Sequence, residues 1–297
     1  MKKGLTPTVF LKQIRVKSWL KNILVLFPIV FSLELFDADV LLKACILTLS
    51  FCLISSAVYV FNDINDVEND RKHDVKKNRP IAAGLISIPV AWVMMICLIA
   101  LGFCAAFYAE KKAIIFLAAY VLINILYSKG LKKKVIIDCF CIAAGFVLRV
   151  MVGGTVVEAG VSGWMFLTIV ALSLFMAFGK RRGELQTHGE KGTRDVLGVY
   201  DMFFLDGAVF MCAGLTMVFY SLWSISQKTN LVYTVPIVLF LVIRYLYLVF
   251  KGCSEADPTT MILSDKTMLI VSGLCGILML VLLYDSQLSV ISNLFGK

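Results

Sequence analysis

The sequence predicts an all-α integral membrane protein, a bundle of about nine transmembrane helices with its N-terminus in the cytoplasm. Three observations favour this fold class: 60% of the 297 residues are hydrophobic, only 16% are charged, and the basic residues cluster in alternate loops. The charged fraction of 16% is well below the roughly 25% of a typical soluble domain. The mean hydropathy is +0.87. This composition excludes an ordinary soluble enzyme, a disordered protein and a disulfide-stapled secreted domain, because none of them is so apolar.

Nine apolar segments have the length of a transmembrane helix, which is about 20 residues. They lie at residues 19–36, 40–61, 85–109, 112–128, 135–157, 162–179, 204–227, 231–250 and 267–286. Before the first of them, Lys12, Arg15 and Lys17 are interspersed with apolar residues, which predicts an amphipathic lead-in along the membrane surface. No internal repeat or long linker divides the chain, so residues 1–297 are predicted to form a single transmembrane domain.

The basic residues predict the orientation in the membrane. Of the 29 Lys and Arg residues, 22 lie in the N-terminal segment or in the loops after the second, fourth, sixth and eighth spans. Cytoplasmic loops of membrane proteins carry such an excess. The two longest polar stretches, 62–84 and 180–203, are therefore expected to face the cytoplasm and to carry the catalytic chemistry. This excess of basic residues in the cytoplasmic loops accounts for the net charge of +9. No nucleic-acid partner is expected, because the chain has no basic soluble domain.

Three aspartates follow the end of the second span at helical spacing. The apolar run ends in Asn62 and Asp63, and Asp66 and Asp70 come three and seven residues after Asp63. If the helix continues, the carboxylates share one face, where like charges repel unless cations lie between them. Mg²⁺ uses one or two carboxylates and bridges substrate phosphates. The spacing therefore predicts that Asp63, Asp66 and Asp70 hold Mg²⁺; the alternative is a solvated acidic loop balanced by the neighbouring basic residues.

Basic side chains near the same predicted membrane surface are candidate phosphate ligands. Lys180, Arg181 and Arg182 open the second polar stretch, and Arg and Lys suit phosphate recognition. The alternative is that they only anchor a span at the interface. Lys21 in the first span and Arg79 before the third leave the same two interpretations open, since long basic side chains can extend along apolar surface to reach water.

The aspartate motif is similar to one in a known family. Asn62-Asp63-x-x-Asp66-x-x-x-Asp70 resembles the first aspartate-rich motif of the UbiA-type intramembrane prenyltransferase superfamily. More of the chain resembles the decaprenyl-phosphate phosphoribosyltransferase branch of that superfamily. The stretches that carry this second resemblance are Trp19-Leu20-Lys21-Asn22, Arg79-Pro80-Ile81-Ala82-Ala83-Gly84, Tyr127-Ser128, Asp138, Gly145-Phe146-Val147-Leu148-Arg149 with Gly153-Gly154, and Gly179-Lys180-Arg181-Arg182-x-Glu184-Leu185.

The resemblance implies a fold, a cofactor and a reaction. It implies a nine-helix bundle with a cytoplasm-facing cavity in which Mg²⁺ binds a substrate diphosphate. The branch implies transfer of 5-phosphoribosyl from phosphoribosyl diphosphate to a polyprenyl phosphate, in a bacterial inner membrane and for lipid-linked sugar synthesis. The implied catalytic residues are the three aspartates, and the implied substrate-binding residues are Lys21, Asn62, Arg79, Asp138, Lys180, Arg181 and Glu184.

The second polar stretch departs from the superfamily pattern. Prenyltransferases of this type usually carry a second DxxxD-like motif after the sixth helix, whereas Asp195 and Asp201 are six residues apart here. A basic cluster in its place fits a donor with more phosphate groups. Transfer of a polyprenyl group from its diphosphate to an aromatic or other acceptor remains the alternative activity. A transporter is a third interpretation, which the absence of inverted repeats in the sequence disfavours.

Charged residues inside predicted spans are functional candidates, because they are expensive in a membrane. Asp138 either pairs with Lys134 or contacts a ribose hydroxyl, and Arg149 either binds a lipid-linked phosphate or makes an internal pair. For Arg244 we expect pairing or packing. Gly153 and its neighbour are expected to serve close helix packing.

Overall fold

The structure is a computed structural model that describes residues 6–72, 75–188, 195–252 and 258–295. Every regular element in these ranges is helical, which confirms the predicted all-α class. The α-helices are α1 Pro7–Gln13, α2 Phe27–Phe31, α3 Ala38–Asn65, α4 Val67–Lys72, α5 Ile88–Ala109, α6 Ala113–Lys129, α7 Ile137–Gly154, α8 Gly163–His188, α9 Met202–Gln227, α10 Val235–Phe250, α11 Pro258–Ser264 and α12 Lys266–Phe295.

Seven helical stretches of the described chain are long and apolar enough to cross a membrane, namely α3, α5, α7, α8, α9, α12 and the stretch that ends with α10. The 17-residue helix α6 is apolar but shorter. These eight helices coincide with eight of the predicted spans. The predicted first span, 19–36, is instead divided between a 3-10 segment, Val16–Leu26, and α2. Pro28 contributes to this break because it has no N–H for a continuing helical ladder.

The chain forms two compact units. Unit 1 comprises Met1–Ile29, Glu34–Leu131 and Leu148–Gly160, and unit 2 comprises Val30–Leu33, Lys132–Val147 and Val161–Lys297. Helix α7 contributes to both. The single domain over residues 1–297 stays a prediction, and the two units are described one at a time below.

Helix α3 is the centre of unit 1. It packs against α5, α6, α1 and the 3-10 segment. Asp37 starts the helix, because its Oδ1 accepts the N–H groups of Asp39 at 2.9 Å and Val40 at 3.1 Å. Halfway along α3, the Ser50 hydroxyl donates to the carbonyl of Gly102 at 2.7 Å, and the small glycine lets α5 approach closely.

Unit 2 is built on α8 and α9, with α10 and α12 packed beside them. Arg244 of α10 donates from Nη2 to Asp265 Oδ2 at 2.7 Å, so the expected pairing of Arg244 is confirmed. Asp265 Oδ1 also accepts the N–H of Met268 at 2.8 Å, at the start of α12. The hydrogen bond from Arg244, followed by the one from Met268, holds the pKa of Asp265 below its usual value. One carboxylate thereby ties α10 to the first turn of α12.

Arg149 lies in the interior of unit 1. Its Nε donates to Asn22 Oδ1 at 2.8 Å, and its guanidinium carbon lies 4.9 Å from the ring centroid of Phe51 and 5.3 Å from that of Tyr120. Aromatic faces stabilise a cation where water is scarce. The described contacts of Arg149 therefore include an internal hydrogen bond and two rings, in line with the interpretation as an internal structural residue.

Gly153 gives the first testable prediction. A Cβ atom at this position would collide with the backbone carbonyl of Val25 and lie 3.2 Å from Cδ of Pro28. We expect Gly153→Ala to lower the free energy of unfolding by about 1–3 kcal/mol, because this is an overpacked site bounded by backbone. Thermal unfolding of the purified chain in detergent measures the effect.

The matched control is Gly214→Ala in the middle of α9, where a Cβ meets no atom within 4 Å. That change should leave the stability unchanged or raise it, by up to about 1 kcal/mol, since Ala favours helix over Gly. An equal melting temperature for both variants would contradict the close approach at Gly153.

Candidate functional site

The three aspartates lie where α3 passes into α4. Asp66 separates the two helices, but its N–H donates to the Asn62 carbonyl at 2.9 Å and the N–H of Asp70 donates to the Asp66 carbonyl at 2.8 Å. These two bonds have the spacing of an α-helix, but Asp66 has a ψ of 8° and ends α3, so the predicted continuation of one helix through the acidic residues is interrupted at Asp66. Asp63 and Asp70 are each only 3% exposed, and Asp66 is half-buried.

Asp63 accepts hydrogen bonds from three side chains. Its Oδ2 accepts from Nε2 of Gln13 at 2.9 Å, and its Oδ1 accepts from Nη2 of Arg15 at 2.5 Å and from Nη1 of Arg79 at 3.0 Å. Gln13 is fully buried. A buried carboxylate needs such partners because burial disfavours an isolated charge. The cations between the acidic residues in this structure are therefore guanidinium groups.

Arg79 bridges two of the aspartates. The same Nη1 atom that contacts Asp63 also donates to Asp70 Oδ2 at 2.7 Å. The backbone after Arg79 forms a compact turn, in which the Ala83 N–H donates to the Arg79 carbonyl at 2.8 Å. The turn ends at Gly84, whose φ of 71° lies in the left-handed region that favours glycine. This turn accounts for Pro80 and Gly84 in the stretch Arg79-Pro80-Ile81-Ala82-Ala83-Gly84.

The segment before the first predicted span takes part in the site, which sequence reasoning missed. Ser56 of α3 donates to the Ile14 carbonyl at 2.8 Å and accepts from Trp19 Nε1 at 3.0 Å. These bonds hold the end of α1 against α3 and bring Gln13 and Arg15 to Asp63. The sequence carries no signal for this arrangement beyond the basic character of the segment, because the contacts join residues about 50 positions apart.

Two further predicted residues belong to the same unit. Asn62 Oδ1 accepts a hydrogen bond from the hydroxyl of Ser128, a residue of the Tyr127-Ser128 stretch. Lys21 is half-buried on the 3-10 segment. His73, one of the two histidines and expected to be a surface residue rather than a metal ligand, lies outside the described residues.

The residues of this cluster fit Mg²⁺. In the described chain no three carboxylate, imidazole or thiol groups converge as a ready-made metal site. Mg²⁺ needs only one or two carboxylates, however, with water and phosphate oxygens as its other ligands. Asp63 and Asp70 direct one oxygen each at the position of Arg79 Nη1. Beside Asp63, Gln13 Oε1 is buried and has no hydrogen-bond partner among the described residues, which makes it an acceptor suited to a metal-bound water.

A second polar cluster lies in unit 2. Asp138 at the start of α7 is fully buried, and its Oδ2 accepts from Arg181 Nε at 2.5 Å. Its Oδ1 accepts from the hydroxyl of Tyr200 at 2.6 Å. Arg181 also donates from Nη1 to Glu184 Oε2 at 2.7 Å. The structure thus brings together the predicted residues Asp138, Arg181 and Glu184, and the side-chain partners that it gives Asp138 are Arg181 and Tyr200, not Lys134.

The neighbouring Arg182 is also enclosed. It donates to Asp206 at 2.6 Å and Gln186 at 2.9 Å, and its guanidinium carbon lies 3.8 Å from the ring centroid of Phe250. Arg181 and Arg182 are both buried within the protein. Lys180 is half-buried. Residues 189–194, in the same polar stretch, lie outside the described residues.

Tyr200 is a member of this cluster that sequence reasoning missed. Its hydroxyl donates to Asp138 and accepts from the backbone N–H of Ile136 at 2.7 Å. Burial, with the hydrogen bond to Asp138, raises the pKa of Tyr200 well above its ordinary value. The phenol therefore stays protonated and acts as a permanent donor to the carboxylate.

Comparison with known proteins agrees with this fold. The chain is 33% identical to a decaprenyl-phosphate phosphoribosyltransferase from Mycolicibacterium smegmatis, over 73% of this chain and 70% of the relative. It is 34% identical to the enzyme of that name from Corynebacterium glutamicum, over 87% of this chain and 81% of the relative. A UbiA homologue from Archaeoglobus fulgidus, solved with GPP and Mg²⁺, has the same fold, with a TM-score of 0.71 and 18% identity over 90% of this chain and 96% of that one.

The family model for UbiA prenyltransferases matches residues 25–263. This match covers most of the chain and includes Asp63, Asp70 and Arg79 of unit 1 and the Asp138 cluster of unit 2, whereas Gln13 and Arg15 precede it. With its seven apolar helical stretches, the protein is an integral membrane protein. The chain belongs to the UbiA prenyltransferase family.

Proposed function

We propose that this protein transfers the 5-phosphoribosyl group from phosphoribosyl diphosphate to a polyprenyl phosphate, with Mg²⁺ as cofactor. The observation that carries the proposal is the convergence of Asp63, Asp70, Arg15 and Arg79, which places two carboxylates and two guanidinium groups around one point. Carboxylates suit the metal and guanidinium groups suit the phosphates of a diphosphate donor. The phosphoribosyl donor is supported by the relatives, which are named decaprenyl-phosphate phosphoribosyltransferases.

The reaction is a substitution at the anomeric carbon. An oxygen of the lipid phosphate forms a bond to C1 of the ribose, and the bond between C1 and the diphosphate oxygen breaks. The products are polyprenyl-phosphoryl-phosphoribose and diphosphate. The nucleophile is already an anion, so no strong general base is required, and the protein contributes orientation and charge.

The cluster of unit 1 supplies the donor site. Asp63, Asp66 and Asp70 would hold Mg²⁺, with Asn62 assisting. Bound there, Mg²⁺ supplies positive charge to the departing diphosphate. Arg79 and Lys21 bind phosphate oxygens of the donor.

The cluster of unit 2 keeps its predicted role in substrate binding. Asp138, Lys180, Arg181 and Glu184 are proposed as substrate-binding residues. Asp138, Arg181 and Glu184 are held together by ion pairs and by the hydrogen bond from Tyr200, so this cluster offers a pre-organised polar surface. Preorganised groups act without the free-energy penalty of rearrangement.

The proposal includes a place in the cell. We expect nine transmembrane helices, an N-terminus in the cytoplasm and an active site that faces the cytoplasm of a bacterial inner membrane. The basic residues of the alternate loops support this orientation. The product would serve the synthesis of lipid-linked sugars for the cell envelope.

Transfer of a polyprenyl group from its diphosphate is the competing activity. The solved UbiA homologue was bound to GPP, a prenyl diphosphate, and has the same fold. Prenyl and phosphoribosyl diphosphates both release diphosphate from a carbon that carries positive charge. The two donors therefore make similar demands on a metal and arginine cluster, and an assay has to separate them.

A donor assay tests the proposed activity. Purified protein in detergent is incubated with Mg²⁺, polyprenyl phosphate and phosphoribosyl diphosphate labelled in the ribose. We expect the label to enter the lipid fraction, with equimolar release of diphosphate and no product when Mg²⁺ is chelated. A lipid fraction without label, together with turnover of a prenyl diphosphate and an aromatic acceptor, would overturn the phosphoribosyl assignment in favour of prenyl transfer.

Asp66→Asn tests the role of the aspartates with little disturbance of the fold. Asp66 is half-buried, so its charge can be removed at less risk than that of the buried Asp63. We expect a loss of about a hundredfold or more in turnover, partly restored at high Mg²⁺ concentration, because a metal ligand is weakened.

The control for this variant is Glu68→Gln on α4, which removes a carboxylate that is 73% exposed and pairs with Arg71. Its turnover and Mg²⁺ dependence should match those of the wild type. If Asp66→Asn retains normal turnover at low Mg²⁺, Asp66 is not a metal ligand.

A further inference from the structure

Two guanidinium groups converge on one oxygen atom of Asp63. Arg15 donates to Oδ1 over 2.5 Å and Arg79 over 3.0 Å, and their side chains are only 28% and 29% exposed. Two guanidinium groups that share one acceptor oxygen are also close enough to share the oxygens of one phosphate group. Arginine binds phosphate in this way through its planar set of donors.

The backbone at Arg15 adds a second observation. Its φ of 53° and ψ of 52° lie in the left-handed region. For a residue with a Cβ this conformation is unfavourable, and Gly or Asn is the usual occupant. Such local strain is typical of functional positions. The guanidinium carbon of Arg15 also lies 4.7 Å from the ring centroid of Tyr59, which directs the side chain toward Asp63.

The arginines and the metal need the same oxygens. Arg15 and Arg79 contact Asp63 Oδ1, and Arg79 contacts Asp70 Oδ2. A carboxylate oxygen that binds a divalent cation has no room for two guanidinium donors as well, and the like charges repel. Metal binding at Asp63 and Asp70 therefore requires the arginines to find another anion nearby.

We propose that Arg15 and Arg79 together bind one phosphate group of the donor diphosphate, and that Asp63 holds both side chains in place until Mg²⁺ takes over its carboxylate. The inference rests on the Mg²⁺–diphosphate site of the proposed function and adds Arg15, from the segment before the first predicted span, as a donor-binding residue. Asp63 exchanges guanidinium for metal, and the guanidinium groups exchange carboxylate for phosphate. Mg²⁺ and diphosphate then strengthen each other's binding by the same factor.

The test measures binding without turnover. The melting temperature of the purified full chain in detergent is followed against Mg²⁺ alone, and then against inorganic diphosphate at saturating Mg²⁺. The midpoint is the ligand concentration that gives half of the change in melting temperature. For Arg15→Gln and Arg79→Gln we expect the Mg²⁺ midpoint to fall severalfold, because a guanidinium group that competes with Mg²⁺ for the carboxylate is gone. The diphosphate midpoint should rise about tenfold or more, because a charged hydrogen-bond donor is lost.

The matched control is Lys17→Gln, which removes one positive charge from an exposed position two residues from Arg15. Both of its midpoints should stay at the wild-type values. An unchanged diphosphate midpoint in the two arginine variants would refute the phosphate site, and an unchanged or higher Mg²⁺ midpoint would refute the exchange. A wild type whose melting temperature does not respond to Mg²⁺ would refute both.

Arg15→Lys serves if Arg15→Gln does not fold. It keeps the charge beside Asp63 but loses the planar donors, so the Mg²⁺ midpoint should stay near that of the wild type while the diphosphate midpoint rises. If both midpoints equal those of the wild type, Arg15 only neutralises charge.

These measurements use neither ribose nor lipid, so they can fail independently of the phosphoribosyl assignment. If the two midpoints shift in opposite directions but no label is transferred in the donor assay, the exchange at Asp63 is supported and only the assignment of phosphoribosyl diphosphate as the donor is refuted.

Discussion

A carboxylate at the end of an apolar helix has to find cations, and Asp63 organises unit 1 by doing so. Its three side-chain partners come from two separate parts of the chain: Gln13 and Arg15 from the N-terminal segment, and Arg79 from the turn before α5. Burying a charge without such partners is far less favourable than burying a paired one. Three features bring these partners to Asp63: the position of α1 against α3, the left-handed backbone at Arg15 and the turn that ends at Gly84.

Unit 2 meets the same requirement with a closed network. Asp138, Arg181 and Glu184 are joined by ion pairs, and Tyr200 completes the set of donors around Asp138. In unit 1 Arg15 and Arg79 both donate to Oδ1 of Asp63, whereas in unit 2 Arg181 donates to Oδ2 of Asp138 and Tyr200 donates to Oδ1. This difference fits the proposed exchange, in which the Asp63 cluster changes partners when Mg²⁺ and diphosphate bind and the Asp138 cluster keeps its contacts.

Apolar runs made the long helices predictable, because the free energy of transfer to a membrane depends on composition. The predicted 40–61 and 85–109 correspond to α3 and α5 within a few residues. Hydropathy does not report backbone conformation. It therefore did not predict that the first span is divided into a 3-10 segment and α2. The spacing of the aspartates was predictable because it is local. The partners Gln13 and Arg15 were not, since Arg15 and Asp63 are 48 positions apart and only tertiary packing brings them together.

The length of α3 bears on how a lipid substrate meets the site. Its only charged residues after the first turn are Lys43 and Asp63, and they are twenty positions apart. A helix rises about 30 Å over that distance, which equals the thickness of the hydrocarbon layer. With the apolar stretch between Lys43 and Asp63 across this layer, Asp63 would lie at the depth of the headgroups, where a membrane lipid carries its phosphate. The proposed lipid acceptor would then reach the aspartates with its tail still among the acyl chains, and it would avoid the roughly 0.8 kcal/mol per CH₂ that extraction into water requires.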